Sequence, residues 1–254
     1  MKLFITDLDH TLVGDKRALK ILNEALEAHR NDRGVKVVYA TGRSLELYRE
    51  LEQQETLIIP DALITSVGTE IYFDPKIDTY DPDWAQELSL GWDRSAIADT
   101  AAKFEGLLKQ PQSEQRPFKL SYIIPEEEAV EVLPQLEKEL KSQGLKCKLI
   151  YSGSQDLDIL PSNADKGTAA KYLQQKWGIE SSKTVVCGDS GNDIGLFFEE
   201  NRGIIVNNAR SELLNWYKEN QTEYRYYAKN PYAAGILEGL ENFNFLDKSF
   251  ATSS

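Results

Sequence analysis

The 254-residue chain has little cysteine, no long apolar run and no excess of positive charge. Two cysteines, Cys147 and Cys187, are too few for a disulfide framework in a chain of this length. Cys187 ends an apolar run and is predicted to be a small buried residue rather than a nucleophile. No apolar stretch reaches the length of a membrane span, and Asp7 and Asp9 interrupt the first one too early for a signal peptide. These absences predict a cytoplasmic protein.

The charge balance excludes one large class of partners. The formal net charge is −12, and no dense Lys/Arg face is present to bind a phosphate backbone, so nucleic acid is not expected as a partner. With 41% hydrophobic and 28% charged residues, the composition is that of a globular enzyme with a sizeable core.

Strand and helix patterns alternate at both ends of the chain. Such alternation predicts an α/β fold with a parallel, Rossmann-like sheet. The predicted strands of this core are residues 2–6, 35–40, 62–65, 184–187, 203–206 and 225–227, with a short hairpin arm at 68–73. The helices between them include residues 166–177 and 193–200.

The middle of the chain breaks this alternation. Two strands follow each other there, and Pro75, Pro82 and Pro161 bracket the segment, which favours a small α+β insert placed as a lid. We predict a core of residues 1–73 and 163–248 and a cap of residues 74–162. The predicted cap elements are a helix at 84–108, a strand at 118–124, a helix at 126–143 and strands at 146–151 and 157–160. The tail after residue 247 is predicted to be a frayed end.

Polar residues follow the first predicted strand. Asp7 and Asp9 stand at its carboxyl end, which is where open α/β sheets place their sites. Taken alone, the pair is as well explained by a strand that ends in an Asp-rich turn.

Two further signals are weak individually. Thr41-Gly42-Arg43 offers a hydroxyl and backbone amides for an anion at a helix start, although Thr41 could equally be a plain helix N-cap. Lys166 opens the helix after the insert, and a single lysine is more often a solvated charge.

The run Gly188-Asp189-Ser190-Gly191-Asn192-Asp193 is more specific. It places two carboxylates and an amide directly after a buried strand, a compact set of hard oxygen ligands suited to Mg²⁺. A bare turn would need the glycines and one aspartate, but not this many acids.

Together these motifs resemble those of the haloacid dehalogenase superfamily of phosphatases, in the usual order and with the larger type of cap inserted. The similarity is greatest to the sucrose-phosphate phosphatases of cyanobacteria and plants, and it runs along nearly the whole chain to about Leu246. We therefore expect the additional C-terminal domain of the plant family to be absent. The segments that carry this closer resemblance are residues 40–44, 66–72, 119–122, 156–158 and 187–194.

The resemblance implies a mechanism. Asp7 would attack phosphorus to form an aspartyl-phosphate, and Asp9 would protonate the leaving sugar oxygen and then activate water. Mg²⁺ would be bound by Asp7, the carbonyl of Asp9 and Asp189, and this shell would be completed or oriented by Asn192 and Asp193. The phosphoryl oxygens would be bound by Thr41, Gly42 and Lys166.

The sugar must be recognised largely by the cap. The candidate substrate-binding residues are Arg43, Gly68, Glu70, Lys119, Tyr122, Gln155, Asp156 and Asp158. Lys119 and Tyr122 lie on opposite faces of a strand, so at most one of them is expected to face the sugar. Trp84 and Trp92 are predicted to belong to the core of the cap helix, and His10 to pack beside the site.

The function implied is Mg²⁺-dependent hydrolysis of sucrose 6-phosphate, the last step of sucrose synthesis. Alternatives are a phosphatase of glucosylglycerol, mannosylglycerate or trehalose phosphate, or an inactive, phosphatase-like regulatory module. Association with a sucrose-phosphate synthase is a further expectation; no membrane partner is expected.

Overall fold

The computed structural model describes residues 1–246, apart from the side chains of residues 32 and 33. The predicted frayed tail and the end of the predicted core at residue 248 therefore lie outside the described residues. Within residues 1–246 no helix is both long enough and apolar enough to cross a lipid bilayer.

A mixed, mostly parallel sheet forms the larger layer, which confirms the predicted α/β class. Within the described residues it has seven strands in the order β11-β10-β9-β1-β2-β3-β4, with only β4 antiparallel to its neighbour. The strands are β1 (Lys2–Thr6), β2 (Val35–Ala40), β3 (Ala62–Thr65), β4 (Glu70–Tyr72), β9 (Thr184–Gly188), β10 (Arg202–Ile205) and β11 (Arg225–Tyr227).

Helices cover both faces of this sheet, so its central strands are apolar on both sides. Along β1, Phe4 joins one buried cluster while Leu3 and Ile5 join the other, as the period of two requires. The helices packed on the core are α1 (Lys16–Arg33), α2 (Leu45–Gln54), α3 (Pro82–Ser89), α6 (Lys166–Trp177), α7 (Ser211–Glu219) and α8 (Tyr232–Asn242). The predicted helix at 193–200 is instead a 3₁₀ segment, Gly191–Leu196.

A second, smaller sheet is antiparallel throughout. Among the described residues its four strands run in the order β5-β6-β8-β7. The strands are β5 (Leu108–Lys109), β6 (Leu120–Ile123), β7 (Cys147–Ser152) and β8 (Asp156–Pro161), and the helices are α4 (Arg94–Ala101) and α5 (Glu126–Ser142). These two helices bury one face of the sheet and leave the other facing the core.

The predicted helix 84–108 is wrong in an instructive way. The chain forms α3, then α4, then β5, and α3 packs on the core rather than in the cap. Trp84 donates its Nε1–H to the Gly68 carbonyl (3.0 Å), and its ring lies 5.2 Å from that of Tyr172. Trp84 is therefore a core residue, whereas Trp92 does pack on the cap cluster. The division at residues 73/74 and 162/163 stays a prediction.

Candidate active site

A cavity of about 420 Å³ lies between the carboxyl edge of the core sheet and the open face of the cap sheet. It brings together many of the residues singled out from sequence. Those that line it are Asp7, Asp9, Gly42, Arg43, Lys119, Asp156, Asp158, Asp189 and Asn192.

The register of the two central strands sets the acidic end of the cavity. Thr6 on β1 pairs with Cys187 on β9, and the Asp7 amide donates to the Cys187 carbonyl (3.1 Å). The residues that follow these parallel strands must leave the sheet at the same edge, which places Asp7 beside Asp189. Thr11 then donates its hydroxyl to Asp189 Oδ1 (2.9 Å), linking the two loops.

Lys166 is the cation of this group. Its ammonium donates to Asp7 Oδ1 and to Asp193 Oδ1, both at 2.7 Å, and the side chain is 1% exposed. The helix start is fixed by a capping box in which Asp165 and Thr168 satisfy each other's backbone amides. Lys166 is thus not a solvated surface charge, since it is buried between two aspartates.

Asp193 organises the loop after β9. Its Oδ2 accepts the backbone amides of Asp189 and Ser190, each at 3.0 Å, while Oδ1 accepts from Lys166. A side chain at Gly188 would put its Cβ 2.5 Å from the Asp193 Cβ, so glycine is required there. Because both of its oxygens are engaged, Asp193 suits an orienting role better than a direct ligand role.

The acidic group fits a divalent cation. Carboxylate oxygens of Asp7, Asp189 and Asp193 lie within 4.8 Å of one another, and all three side chains are buried. Burial, then the neighbouring carboxylates, raise the pKa of Asp7 to about 7 despite Lys166, and burial and the same repulsion raise the pKa of Asp189 to about 8. A hard cation bound by these oxygens would stabilise the ionised forms, as carboxylate sites for such ions do.

Asp9 forms a bidentate ion pair with Arg43. Arg43 Nε donates to Asp9 Oδ2 (2.7 Å) and Nη2 donates to Oδ1 (2.8 Å), and this hydrogen bonding raises the pKa of the guanidinium. Both side chains are partly exposed at the cavity wall. Arg43, which we predicted to bind substrate, here contacts the predicted acid/base.

Thr41 is not a helix N-cap. Ser44 caps α2 by accepting the Leu47 amide, while Thr41 is fully buried and accepts the Arg43 amide through Oγ1 (3.1 Å). Gly42 lines the cavity, and an added Cβ would meet protein atoms only at ordinary distances. Gly42 therefore lies at the cavity wall, directly after the buried Thr41.

Two residues predicted to bind substrate, Gly68 and Glu70, lie outside the cavity. Gly68 has φ +96°, and a Cβ there would lie 2.2 Å from the Asp165 backbone, so glycine lets this loop contact the start of α6. Glu70 is 1% exposed and accepts from Tyr72 and Arg116. In the described part of the chain neither residue lines the cavity.

The cap contributes a buried charged cluster. Lys119, 2% exposed, donates to Glu114 Oε2 (3.0 Å) and lies 3.7 Å from Asp158 Oδ1, and Asp158 also accepts from Ser121. Burial alone would lower the pKa of Lys119, but the neighbouring carboxylates, Asp158 first, raise it. This cluster forms the wall of the cavity opposite the aspartates.

Other cap predictions are placed differently. Tyr122 packs into the apolar cap cluster and Gln155 lies in the β7–β8 turn, and among residues 1–246 neither lines the cavity. The period-two argument had allowed only one of Lys119 and Tyr122 to face the cavity, and Lys119 is the one. His10, expected to pack beside the site, is exposed and lines the cavity.

Sequence reasoning missed several lining residues. These are Leu47, Gln110, Glu114, Ser152, Gly153, Ser190 and Arg210. Gln110 and Glu114 escaped notice because their segment follows a wrongly extended helix. Arg210 precedes α7, where no motif marks it, yet its amide donates to the Asp189 carbonyl (2.7 Å).

Solved structures resemble this fold along nearly its whole length. A sucrose-phosphatase from Synechocystis, solved in complex with sucrose and phosphate, is 42% identical, with a TM-score of 0.91 over 97% of this chain and 99% of that one. A haloacid dehalogenase-like hydrolase protein from Bacillus subtilis, 18% identical with a TM-score of 0.68, covers 96% of this chain and 92% of its own and shares the fold.

Curated relatives give a consistent result. Sucrose-phosphatase 1 of Nicotiana tabacum is 38% identical over 95% of this chain, but the match spans only 59% of its own length. The mannosylfructose-phosphate phosphatase of Agrobacterium fabrum is 32% identical over 96% of this chain and 97% of its own. The family model described as sucrose-6F-phosphate phosphohydrolase matches residues 1–244. This match over nearly the whole chain shows that the chain belongs to the sucrose-6F-phosphate phosphohydrolase family.

Proposed function

We propose that this chain hydrolyses sucrose 6-phosphate to sucrose and phosphate, using Mg²⁺ and an aspartyl-phosphate intermediate. The observation that carries the proposal is one cavity whose core side holds Asp7 with Lys166 and whose cap side holds a polar cluster for a sugar. Similarity to an enzyme solved with sucrose and phosphate supports this choice of substrate.

Asp7 is the proposed nucleophile. A carboxylate oxygen of Asp7 would bond to phosphorus while the bond from phosphorus to the sugar oxygen breaks. Lys166 holds Asp7 Oδ1 at 2.7 Å and so fixes the orientation of the carboxylate. Because the Asp7 carboxylate is already oriented before substrate binds, the entropic cost of its attack on phosphorus is lower.

Asp9 is the proposed acid and base. It lies two residues beyond Asp7 and lines the same cavity, which supports a role at the sugar oxygen that would leave. It would give that oxygen a proton in the first half of the reaction and take one from the hydrolytic water in the second. In this structure Arg43 donates to both oxygens of Asp9, so the proposed proton transfer requires one of these two hydrogen bonds to open when substrate binds.

Asp7, Asp189 and the Asp9 carbonyl are the proposed ligands of Mg²⁺, with Asp193 and Asn192 orienting them. When bound, the cation would neutralise charge on the phosphoryl oxygens and on the crowded carboxylates. The phosphoryl oxygens would be bound by Thr41, Gly42 and Lys166.

The sugar would occupy the cap side of the cavity. Lys119, Asp158 and Asp156 line it, and Glu114 Oε1 is a buried acceptor with no hydrogen-bond partner among the described residues. Hydroxyl-rich ligands supply donors for such acceptors, whereas apolar esters leave them unsatisfied.

A second candidate substrate is mannosylfructose phosphate. Its support is the similarity to the Agrobacterium phosphatase, which extends over nearly the full length of both chains. The cytoplasmic location and an association with a sucrose-phosphate synthase stay predictions from the sequence.

The test is phosphate release from a panel of sugar phosphates with Mg²⁺. Sucrose 6-phosphate should be the preferred substrate, ahead of the phosphates of mannosylfructose, glucosylglycerol, mannosylglycerate and trehalose. Comparable turnover of all of them would reject the sucrose assignment. No release from any would leave the regulatory, phosphatase-like module as the explanation.

A further inference from the structure

The buried carboxylate Glu70 in the core reaches across to the cap. Its Oε1 accepts from Arg116 Nε (2.8 Å), while Oε2 accepts from Tyr72 (3.0 Å) and Thr65 (3.2 Å) hydroxyls. Glu70 is 1% exposed, so its charge needs this partner. A core strand is thereby bound to the cap loop that precedes β6.

Arg116 in turn fixes a cavity residue through its backbone. Its amide donates to the Lys119 carbonyl (3.0 Å), and the Lys119 amide donates to the Arg116 carbonyl (3.2 Å). Lys119 then donates its ammonium to Glu114 in the cavity. The Glu70–Arg116 ion pair is therefore connected to Glu114 at the cap side of the cavity, first through the backbone bonds to Lys119 and then through the Lys119 ammonium.

The Glu70 carboxylate is also linked to the core loop of Thr41 and Arg43, which contains proposed phosphate-binding residues. Glu70 accepts weakly from the Ser66 hydroxyl (3.4 Å), and the Ser66 amide donates to the Arg43 carbonyl (2.8 Å). Val67 donates its amide to the Thr41 carbonyl (3.1 Å). Ser66 and Val67 have φ of +52° and +59°, conformations that non-glycine residues keep only where surrounding contacts fix them.

We propose that Glu70 and Arg116 are positioning residues for substrate specificity. Their ion pair sets the distance between the cap turn that carries Lys119 and the core loop that carries Thr41 and Arg43. This proposal rests on the proposed function, because it assigns the pair to recognition of the sugar rather than to phosphoryl transfer itself. Neither residue touches substrate.

The test compares two esters in Glu70→Gln and Arg116→Met. For sucrose 6-phosphate we expect kcat/KM to fall about tenfold or more, mainly through KM, because the cap turn loses its anchor. For p-nitrophenyl phosphate, which has no sugar to contact the cap, kcat/KM should stay within about twofold. The backbone hydrogen bonds from Ser66 and Val67 that hold the loop of Thr41 and Arg43 are removed by neither substitution. Arg116→Lys, which keeps the charge but lacks the Nε donor that binds Glu70, should give an intermediate value.

Matched controls remove other partners of the same groups. Tyr72→Phe deletes a hydrogen bond to Glu70 but leaves Arg116 in place, and Glu46→Gln deletes the exposed partner of Arg116 at 3.5 Å. Both should keep the wild-type ratio of the two substrates. An equal loss on both esters in Glu70→Gln and Arg116→Met would overturn the proposal, since it would mean that the pair only stabilises the fold. If Glu70→Gln does not fold, Arg116→Met decides.

A second measurement needs no substrate. Amide hydrogen exchange in residues 114–121 should accelerate about fivefold or more in Arg116→Met and stay unchanged in Tyr72→Phe. Unchanged exchange in Arg116→Met would reject the positioning role. If the wild type hydrolyses p-nitrophenyl phosphate but not sucrose 6-phosphate, the proposed function fails, and the exchange result still decides whether the pair fixes the turn.

Discussion

The two walls of the cavity are built by different rules. On the core wall, Asp7 and Asp189 follow the ends of parallel strands, so they meet because all such ends lie at one edge. On the cap wall, Lys119 and Asp158 belong to the open face of an antiparallel sheet whose other face is apolar. The core wall is a property of strand ends, and the cap wall is a property of strand faces.

We propose that the core wall carries the chemistry and that the cap wall carries the selectivity. Asp7 is bound by Lys166, which also donates to Asp193, and all three of these residues belong to the core. Lys119 and its carboxylates sit on a separate sheet with its own apolar cluster. We therefore expect damage to the core wall to affect all esters and damage to the cap wall to affect sugar esters most.

The largest effect should come from Asp7→Asn. The amide keeps the shape of the side chain but cannot attack phosphorus, so kcat should fall at least about a thousandfold for every ester. Steady-state kinetics with sucrose 6-phosphate and p-nitrophenyl phosphate measure this. Asp78→Asn, at an 85% exposed side chain, is the control and should be unaffected. Activity near wild type in Asp7→Asn would remove Asp7 as nucleophile.

Chelation of divalent metal should nearly match that effect. EDTA should stop phosphate release from both esters, and added Mg²⁺ should restore it, because the crowded carboxylates need a cation. Full activity after chelation and gel filtration into metal-free buffer would reject the role of Asp189 as a ligand of an essential metal ion.

Lys119→Met should separate the two walls. Losing the cation leaves Glu114 and Asp158 without their shared ammonium, so kcat/KM for sucrose 6-phosphate should fall about ten- to a hundredfold. The loss on p-nitrophenyl phosphate should be much smaller. Lys103→Met, at a 62% exposed cap lysine, is the matched control. Equal losses of kcat/KM on the two esters would contradict the prediction, because they would mean that the core wall and the cap wall act as one functional unit.

The smallest effect concerns pH and stability without metal. The pKa of Asp7 is raised to about 7 and that of Asp189 to about 8, so the folded protein retains protons that the unfolded chain has released. Stability in EDTA should therefore fall as pH rises from about 4 to 8. Thermal unfolding at several pH values measures this, and Mg²⁺ should raise the midpoint more at pH 8 than at pH 5.

Asp7→Asn provides the comparison for that measurement. Its unfolding midpoint in EDTA should depend less on pH than that of the wild type, because the variant lacks one of the two carboxyl groups whose pKa is raised. A wild-type midpoint that rises between pH 5 and 8, or an identical slope in Asp7→Asn, would contradict the assignment.

Some residues lie elsewhere in the structure than the sequence pattern indicated, and the physical reason is shared. Gly68 and Glu70, predicted to contact substrate, lie outside the cavity: Glu70 binds Arg116 of the cap, and Gly68 permits close packing on Asp165. Trp84 has the pattern of an amphipathic helix, and the pattern does not say which sheet the helix covers. Periodicity identifies a buried face, but it does not identify the surface against which that face packs.

The sequence alone determined the core sheet, the insertion of a second α+β unit and the strand-end motifs. These follow from local patterns, since apolar runs, glycines and acids at strand ends are close together in the chain. Only the tertiary structure decided that Lys166 is buried between Asp7 and Asp193, that Arg43 holds Asp9 and that Glu114 and Arg210 line the cavity. Such contacts join residues far apart in the chain, and their existence depends on strand register and on the position of the cap, which single-sequence patterns do not encode.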